Sequence, residues 1–394
     1  MKIGILEIMP TGHYTLVDSV VRIFASNTEN HIYIFVRQNG EKNLHVLKNL
    51  FKNQITIIYW DPSTSLKLFF NKANSIYLDK LYIITLEKYY KDFFSFVFNC
   101  QINIFIHNID EWFDKRFIYV FYHLFKKSPD INTFIYNLKK NIYYNYFKRR
   151  IVNKILDNEG RFVVLNSTMK NELKTLIPED KIEIIPFSVY NSKLKCESND
   201  NNILKICIPG IVSEVRRDYN LISKIMFENL DQFKGKIEIL LLGFISNKEF
   251  GYRIIEEFKR LDEMGINVKF FSTDYIPLEI YDIELAQSDI ILGNIRINID
   301  KYSAYGKTKE TGVPFTMIRA AKPGILPQNY PSFKELESST LRFNDSASLV
   351  KILKELISNN SVLLDLKVEA LKNSLKYEPA EIYKGLFQTT SLSS

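Results

Sequence analysis

Short apolar runs alternate with longer stretches of helical periodicity through both halves of this chain. Apolar runs of about four to eight residues bounded by polar turns are typical of buried strands, and their alternation with helices predicts doubly wound, parallel α/β sheets. In the first half we predict strands at Ile3–Ile8, Ile32–Val36, Ile55–Trp60, Ile102–Ile106, Phe162–Leu165 and Ile182–Ile185. Helices are predicted at Thr15–Ser26, at Tyr82–Phe98 and after Leu165 as far as Leu176.

A polar stretch, Cys196–Asn202, interrupts this pattern and reads as a linker between domains. The second half repeats the alternation, with strands predicted at Ile203–Ile208, Ile237–Leu242, Asn267–Phe271, Asp289–Leu292, Gly324–Leu326 and Leu341–Phe343, and helices at Leu349–Ser358 and Ser361–Leu375. We therefore predict two Rossmann-like domains, 1–195 and 203–375, facing each other across a cleft. A helix in the tail, 376–394, is expected to pack back on the first domain.

Composition narrows the class of protein. The chain has 394 residues, of which 46% are hydrophobic and 25% charged, as expected for a globular protein. It has three cysteines, no secretory signal pattern and no run of 18 apolar residues, which favours a cytoplasmic location. The net charge of +7 suits phosphate-bearing ligands or an anionic membrane, and no motif accompanies it that would indicate nucleic acid.

The segment Tyr305–Phe315 combines glycines, lysines and threonines directly before an apolar helix. Backbone N–H groups at a helix N-terminus, together with cationic side chains, form a seat for phosphate. The residues of this loop predicted to bind the ligand are Tyr305, Lys307, Thr308, Lys309, Thr311 and Gly312.

Five further segments follow in chain order. They are Met9–Thr15; Ile106–Trp112; Val163–Ser167 through Ile184–Ser188; Ile208–Gly210 with Arg216–Tyr219; and Asp274–Pro277 through Leu285–Ile290. In this order and spacing, they and the donor loop resemble the GT-B glycosyltransferases of family 4. The resemblance covers positions from about 1 to about 330.

This resemblance implies a GT-B fold and binding of a nucleoside-diphosphate sugar in the second domain. It carries ligand contacts onto Gly12, Gly210, Arg216, Arg217, Thr273, Tyr275 and Ile276. One feature departs from the family, whose donor loop has two glutamates eight positions apart. Lys309 and Met317 stand at those positions, and no acidic residue occurs from 311 to 334.

Three side chains are candidates for catalysis. His13 and His107 each follow a predicted strand, where an imidazole can act as a general base or donate a hydrogen bond, although either histidine can equally be a structural turn residue. Asp110 is a candidate base if the reaction inverts configuration. Together with Glu111 it can instead cap the helix that begins near Trp112.

The segment Lys115–Lys154 holds ten Lys or Arg, eleven Phe or Tyr and one acidic residue. Cations interleaved with aromatic rings suit the interface of an anionic membrane. The alternative is a pair of helices whose aromatic face packs on the sheet while the lysines are solvated.

The sequence thus predicts a metal-independent, hexosyltransferase-type glycosyltransferase without a cofactor, acting in bacterial surface polysaccharide synthesis. Its partners would be a nucleotide sugar and a glycan or lipid-linked acceptor, at the inner face of the cell membrane. Two alternatives stay open: a sugar-nucleotide epimerase of the same fold, and a non-catalytic partner subunit.

Overall fold

A computed structural model describes residues 1–9, 13–38, 40, 44–86, 89–113, 130–194, 203–213, 216–245, 248–272, 276–297, 304–331 and 333–388. The chain divides into two compact units at Ile185–Pro186. The predicted linker, Cys196–Asn202, lies outside the described residues. In the part of the chain that is described, no helix combines the length and apolar character needed to cross a membrane.

The first unit is a parallel α/β layer. Its described strands are β1 (Lys2–Glu7), β2 (His31–Arg37), β3 (Ile55–Trp60), β4 (Lys80–Thr85), β5 (Gln101–Phe105), β6 (Arg161–Val164) and β7 (Ile182–Ile184). Its described helices are α1 (Tyr14–Ala25), α2 (His45–Leu50), α3 (Leu66–Ser75), α4 (Tyr90–Ser95), α5 (Ile109–Phe113), α6 (Ile131–Leu156) and α7 (Ser167–Leu173). A short 3₁₀ turn, Glu179–Lys181, precedes β7.

The strands of this unit lie in the order β3-β2-β1-β4-β5-β6-β7, and every pairing is parallel. The chain proceeds outward from β1 to one side and from β4 to the other, so the switch point of the sheet lies between β1 and β4. In open parallel sheets the carboxyl ends of the two strands at such a point are where ligands bind.

The predicted strands of this half are confirmed to within a residue or two, and one predicted helix is wrong. The segment Tyr82–Phe98 is not a single helix: its first residues belong to β4, and helix begins only at Tyr90. Tyr82, Ile83 and Ile84 are all fully buried, because β4 lies in the interior of the sheet with helices on both faces. A strand buried on both faces is continuously apolar, and periodicity alone does not separate it from a buried helix.

The second unit repeats this architecture. Its described strands are β8 (Leu204–Pro209), β9 (Ile237–Leu242), β10 (Asn267–Phe270), β11 (Ile290–Leu292), β12 (Gly324–Pro327) and β13 (Thr340–Phe343). Its described helices are α8 (Tyr219–Glu228), α9 (Leu230–Phe233), α10 (Lys248–Glu263), α11 (Leu278–Gln287), α12 (Val313–Ala320), α13 (Ser346–Ser358), α14 (Asn360–Leu375) and α15 (Pro379–Gln388). A 3₁₀ segment, Lys334–Ser339, precedes β13.

The sheet of the second unit has the strand order β10-β9-β8-β11-β12-β13, again all parallel. Its switch point lies between β8 and β11. The apolar faces of α8, α10 and α13 pack on β8 and β9 to form one contiguous core. The strands predicted for this half are confirmed, as are the two predicted helices α13 and α14. A helix is also present in the predicted tail, as α15.

Candidate active site

Gly210 follows the last residue of β8 and has a φ of +98°. This backbone conformation favours glycine, because a side chain would meet its own backbone. Space is restricted there as well, since a Cβ on Gly210 would lie 2.8 Å from Nη2 of Arg217. The absence of a side chain at Gly210 therefore lets the guanidinium of Arg217 lie directly against the end of the strand.

Arg217 is a buried cation at this switch point, with 6% of its surface exposed. Its Nη2 donates to the carbonyl oxygen of Pro209, while its Nη1 is buried and has no hydrogen-bond partner. Burial lowers the pKa of the guanidinium, and the side chains that act on its charge are three tyrosines (219, 281 and 305) and Cys207. Among the described residues, no carboxylate stands among them, so the positive charge is left largely uncompensated.

Asn294 lies beside this arginine, two residues beyond β11. Its carbonyl oxygen accepts from the amide of Asp218 at 3.0 Å, and Ile295 forms an antiparallel bridge with Arg217. The side chain is 2% exposed, and neither its amide nitrogen nor its amide oxygen has a hydrogen-bond partner. The buried hydroxyl of Tyr219, the first residue of α8, also has none.

The predicted donor loop is joined to the same strand ends. The amide of Tyr305 donates to the carbonyl of Ile297 at 3.2 Å, and Nζ of Lys309 lies 5.7 Å from the centroid of the Tyr305 ring. Burial raises the pKa of Tyr305, while the charges of Arg216 and Arg217 act to lower it. Two cationic segments that are distant in sequence therefore meet around one tyrosine.

Glu310 lies in this loop just before α12, where a negative charge interacts favourably with the helix dipole. Its Oε1 accepts from the amide of Thr311 at 2.8 Å and from the hydroxyl of Tyr330. Burial, followed by the neighbouring Glu310, raises the pKa of Tyr330 well above its usual range. The carboxylate thus holds the loop that precedes the N-cap, Gly312, in a fixed conformation.

The switch point of the first unit is organised around Glu7, which is fully buried. Its carboxylate accepts from the amides of Met9 at 2.9 Å and His13 at 3.2 Å, and from Oγ1 of Thr85 at 2.8 Å. An irregularity in the β1–β4 register after Leu6 brings Glu7 opposite Thr85. Glu7 therefore joins the ends of both switch-point strands to the turn that presents His13.

His107 follows β5 and contributes the second imidazole. Its Nε2 lies 2.8 Å from the carbonyl oxygen of Ile84, and a carbonyl can only accept, so we assign the proton to Nε2. The ring centroids of His13 and His107 are 4.4 Å apart. The two histidines predicted from the sequence thus form a pair.

Asp110 lies in the first turn of α5, where its amide donates to the side chain of Asn108 at 3.1 Å. The neighbouring Glu111 forms an ion pair with Lys148 of α6 at 2.7 Å. These contacts favour a structural role at the helix start for this acidic pair.

Solved structures with the same architecture match the whole chain. Anabaena Alr3699/HepE in complex with UDP and glucose matches with a TM-score of 0.62, 14% identity and full coverage of both chains. Sucrose-phosphate synthase from Thermosynechococcus elongatus matches with a TM-score of 0.59, 11% identity and full coverage of both chains. The chain has the GT-B fold.

The GT-B fold alone does not select one reaction. The UDP-GlcNAc 2-epimerase of Neisseria meningitidis also matches over the full length of both chains, with a TM-score of 0.50 and 14% identity. No protein-family model and no curated protein matches the sequence. The argument for function must therefore come from the residues of the two switch points.

Several predicted contacts of the GT-B site are not tested by the structure. Gly12, Thr273 and Tyr275 lie outside the described residues. Ile276 is partly buried just before Pro277, the N-cap of α11. Lys307 is exposed, and the hydroxyl of Thr308 is buried without a partner.

The structure explains one departure from the family pattern. Met317, which stands where the second family glutamate is expected, is 1% exposed within α12. It packs against β12 so closely that a Cβ on Gly324 would lie 2.5 Å from its sulfur. That position belongs to the apolar core of this chain, and a carboxylate there would be buried without water.

Sequence reasoning selected Gly210, Arg217, Tyr305, Lys309 and the histidine pair, and it missed Asn294 and Glu7. Both missed residues are polar and stand at or just after the carboxyl end of a predicted strand. The signal that could have found them is the switch-point rule applied to each strand end in turn.

Proposed function

We propose that this protein is a glycosyltransferase that moves a sugar from a nucleoside-diphosphate donor to a glycan or lipid-linked glycan. The observation that carries the proposal is Arg217, a buried guanidinium with an unused donor at the switch point of the second unit. Keeping a cation out of water is costly for the free protein, and an anionic ligand would recover that cost.

The chemistry of transfer accounts for this arrangement. Breaking the bond between the sugar and the diphosphate leaves negative charge on the departing phosphate oxygen, which positive groups must stabilise. Arg217 is fixed by the carbonyl of Pro209, so it needs little reorganisation, and its burial strengthens its interaction with an anion. Lys309 and the N-terminus of α12 would add to this stabilisation, so the residues present account for the charge without a metal ion.

Similar proteins support a nucleotide-sugar ligand. The solved structures of HepE contain UDP, UDP with glucose, and UDP-glucose. The sucrose-phosphate synthase and AviGT4, a glycosyltransferase of avilamycin A biosynthesis, have the same architecture at TM-scores of 0.59 and 0.54. We extend this ligand class to the present chain because its own switch point offers a cation to the diphosphate.

We assign the acceptor to the first unit, where His13 would take the proton of the attacking hydroxyl or donate to the reacting sugar. The carboxylate of Glu7 fixes the backbone of His13, and the carbonyl of Ile84 fixes the ring of His107. A general base held in this way loses little entropy when the acceptor arrives. Asp110 remains a weaker candidate, given its place at the start of α5.

We also propose that the protein works in the cytoplasm, at the inner face of the membrane, in surface polysaccharide synthesis. The described part of Lys115–Lys154 is mostly α6, whose sequence contains no acidic residue. Its exposed side chains include both apolar and cationic residues: Ile135, Tyr136, Ile142, Tyr143, Tyr146, Lys139, Lys140, Arg149 and Arg150. Rings and aliphatic groups beside uncompensated cations suit anionic headgroups.

Ligand-induced stabilisation tests the donor assignment. We expect UDP, GDP or ADP, or a sugar derivative of one of them, to raise the melting temperature. A ligand at about 100 times its dissociation constant adds about 2.7 kcal/mol of stability. In Arg217→Met, which keeps the side-chain length without charge, the shift should be lost. If no nucleoside diphosphate or nucleotide sugar stabilises the wild-type protein, the proposal is wrong.

Two alternative functions each have an observation in their favour. The epimerase from Neisseria meningitidis has the same fold, and an epimerase would convert a nucleotide sugar in the absence of any acceptor. The core position of Met317 in place of a family glutamate suits a partner subunit without turnover. Chromatography of nucleotide sugars incubated with the protein, with and without glycan acceptors, separates the three functions.

A further inference from the structure

Asn294 has an amide group whose hydrogen-bonding capacity is entirely unused. It lies just past β11 at the switch point, in the backbone pairing that contains Arg217, and it is 2% exposed. Neither Oδ1 nor Nδ2 has a partner. Buried polar groups are nearly always paired in folded proteins, so an unpaired one at a strand end where ligands bind calls for a ligand.

The chemistry of the amide identifies the group that it would bind. An asparagine offers both a donor, Nδ2, and an acceptor, Oδ1. An ionised phosphate has acceptors only, so it would leave Oδ1 unpaired, and the phosphate is already matched by the cation of Arg217. A hydroxyl group is at once donor and acceptor, and can therefore satisfy either atom of the amide.

We propose that Asn294 binds a hydroxyl group of the sugar nucleotide, beside the diphosphate held by Arg217. This inference rests on the proposed function. It makes Asn294 a specificity-determining residue, because a site that pairs with a hydroxyl discriminates against ligands that lack it. The hydroxyl belongs either to the ribose or to the transferred sugar.

A comparison of two buried asparagines tests whether the unpaired amide serves the ligand or the fold. Asn373 is 4% exposed in the same unit, and its amide donates to Oγ of Ser338 at 3.0 Å and Oγ of Ser339 at 3.1 Å. Asn373→Ala should therefore lower the melting temperature without changing ligand affinity. Asn294→Ala and Asn294→Val remove no internal hydrogen bond of the side chain, so both should retain more stability than Asn373→Ala.

Calorimetric titration with inorganic pyrophosphate, UDP and UDP-glucose identifies the group that is bound. We expect Asn294→Ala to weaken UDP-glucose binding about tenfold, the scale of one lost hydrogen bond, and to leave pyrophosphate binding unchanged. A loss for UDP-glucose alone assigns the hydroxyl to the transferred sugar. An equal loss for UDP and UDP-glucose assigns it to the ribose.

Three results would overturn the inference. One is unchanged binding of all three probes, and another is an equal loss that includes pyrophosphate, which would make Asn294 a phosphate contact. The third is loss of folding in both Asn294 variants, which would show that the amide supports the fold. If the wild-type protein binds none of the probes and no other nucleotide, the proposed function fails together with this inference. Binding by wild type with no effect of Asn294 overturns this inference alone.

Discussion

The imidazole rings of His13 and His107 lie with their centroids 4.4 Å apart, although one follows β1 and the other follows β5. Each is held by a different anchor: the carboxylate of Glu7 binds the amide of His13, and the carbonyl of Ile84 binds the ring of His107. The pair is therefore assembled by the fold before any substrate arrives.

Removing the first imidazole should affect chemistry rather than donor binding. We expect His13→Ala to lower the rate of sugar transfer about a hundredfold or more, the range of general acid–base catalysis. Donor affinity, measured by calorimetry, should not change, because the predicted donor contacts lie in the second unit. His45→Ala is the matched control, since His45 is hydrogen-bonded only to Asn49 of its own helix among the contacts described. A wild-type rate for His13→Ala would remove this histidine from the mechanism.

The cations of the second unit should contribute to turnover. Arg217→Ala and Lys309→Ala are each expected to lower the transfer rate about tenfold or more, as expected for one lost charge-stabilising contact. Lys354→Ala, which removes an exposed cation from α13, should have no effect. If both variants turn over the true donor at the wild-type rate, the phosphate assignment is incorrect.

Gly210 offers a way to displace Arg217 without removing it. Gly210→Ala places a methyl group 2.8 Å from Nη2 of Arg217, at a φ of +98°. We expect a loss of stability of about 1–2 kcal/mol from the backbone and weaker nucleotide binding from the displaced guanidinium. Gly235→Ala is the control: its φ is +67°, and its Cβ would have no neighbour within 4 Å. Urea denaturation should therefore show a loss in both variants, and nucleotide titration a loss only in Gly210→Ala.

Glu183 gives the first unit a pH-dependent stability. Burial raises the pKa of this carboxyl above its ordinary value of 4.5, against the opposing charges of Lys80 and Arg161. The folded protein therefore binds the proton more tightly than the unfolded chain, and stability falls as pH rises from 4.5 through the raised pKa.

Glu183→Gln removes this titration while keeping the shape of the side chain. Relative to wild type, the variant should gain stability at pH 8 compared with its difference at pH 4.5. Urea midpoints at the two pH values measure this change. An identical difference at both would show that Glu183 does not titrate between them.

The exposed cations of α6 should determine membrane binding. We expect the protein to co-sediment with vesicles that contain phosphatidylglycerol but not with pure phosphatidylcholine. Lys139→Glu combined with Arg149→Glu should weaken binding about tenfold or more, since each cation near an anionic surface contributes about 1 kcal/mol. Lys351→Glu with Lys354→Glu in α13 makes the same charge change in the other unit and should have no effect. Equal weakening by both pairs would indicate general charge attraction.

The strands could be predicted because they are short apolar runs with clear polar boundaries, as in β3 and β9. The segment Tyr82–Phe98 failed because β4 is apolar on both faces and is followed closely by α4, so that strand and helix merge into one apolar pattern. At the site, Arg217 stood out as a cation after a strand. Asn294 did not, because its significance depends on an absent hydrogen bond, and no sequence pattern encodes which polar atoms remain unpaired. The contact between Glu310 and Tyr330 likewise depends on how a loop folds back on itself.

The strictly parallel pairing of the described strands has a consequence for how this protein forms. Parallel neighbours cannot be joined by a tight hairpin, so each ladder becomes possible only after a long crossover has closed. The central contacts, β1 with β4 and β8 with β11, join residues far apart along the chain. Folding dominated by such distant pairings is slow, and apolar edges stay uncovered meanwhile. Refolding from urea should therefore be most efficient at low protein concentration, where intermediates rarely meet before their sheets are complete.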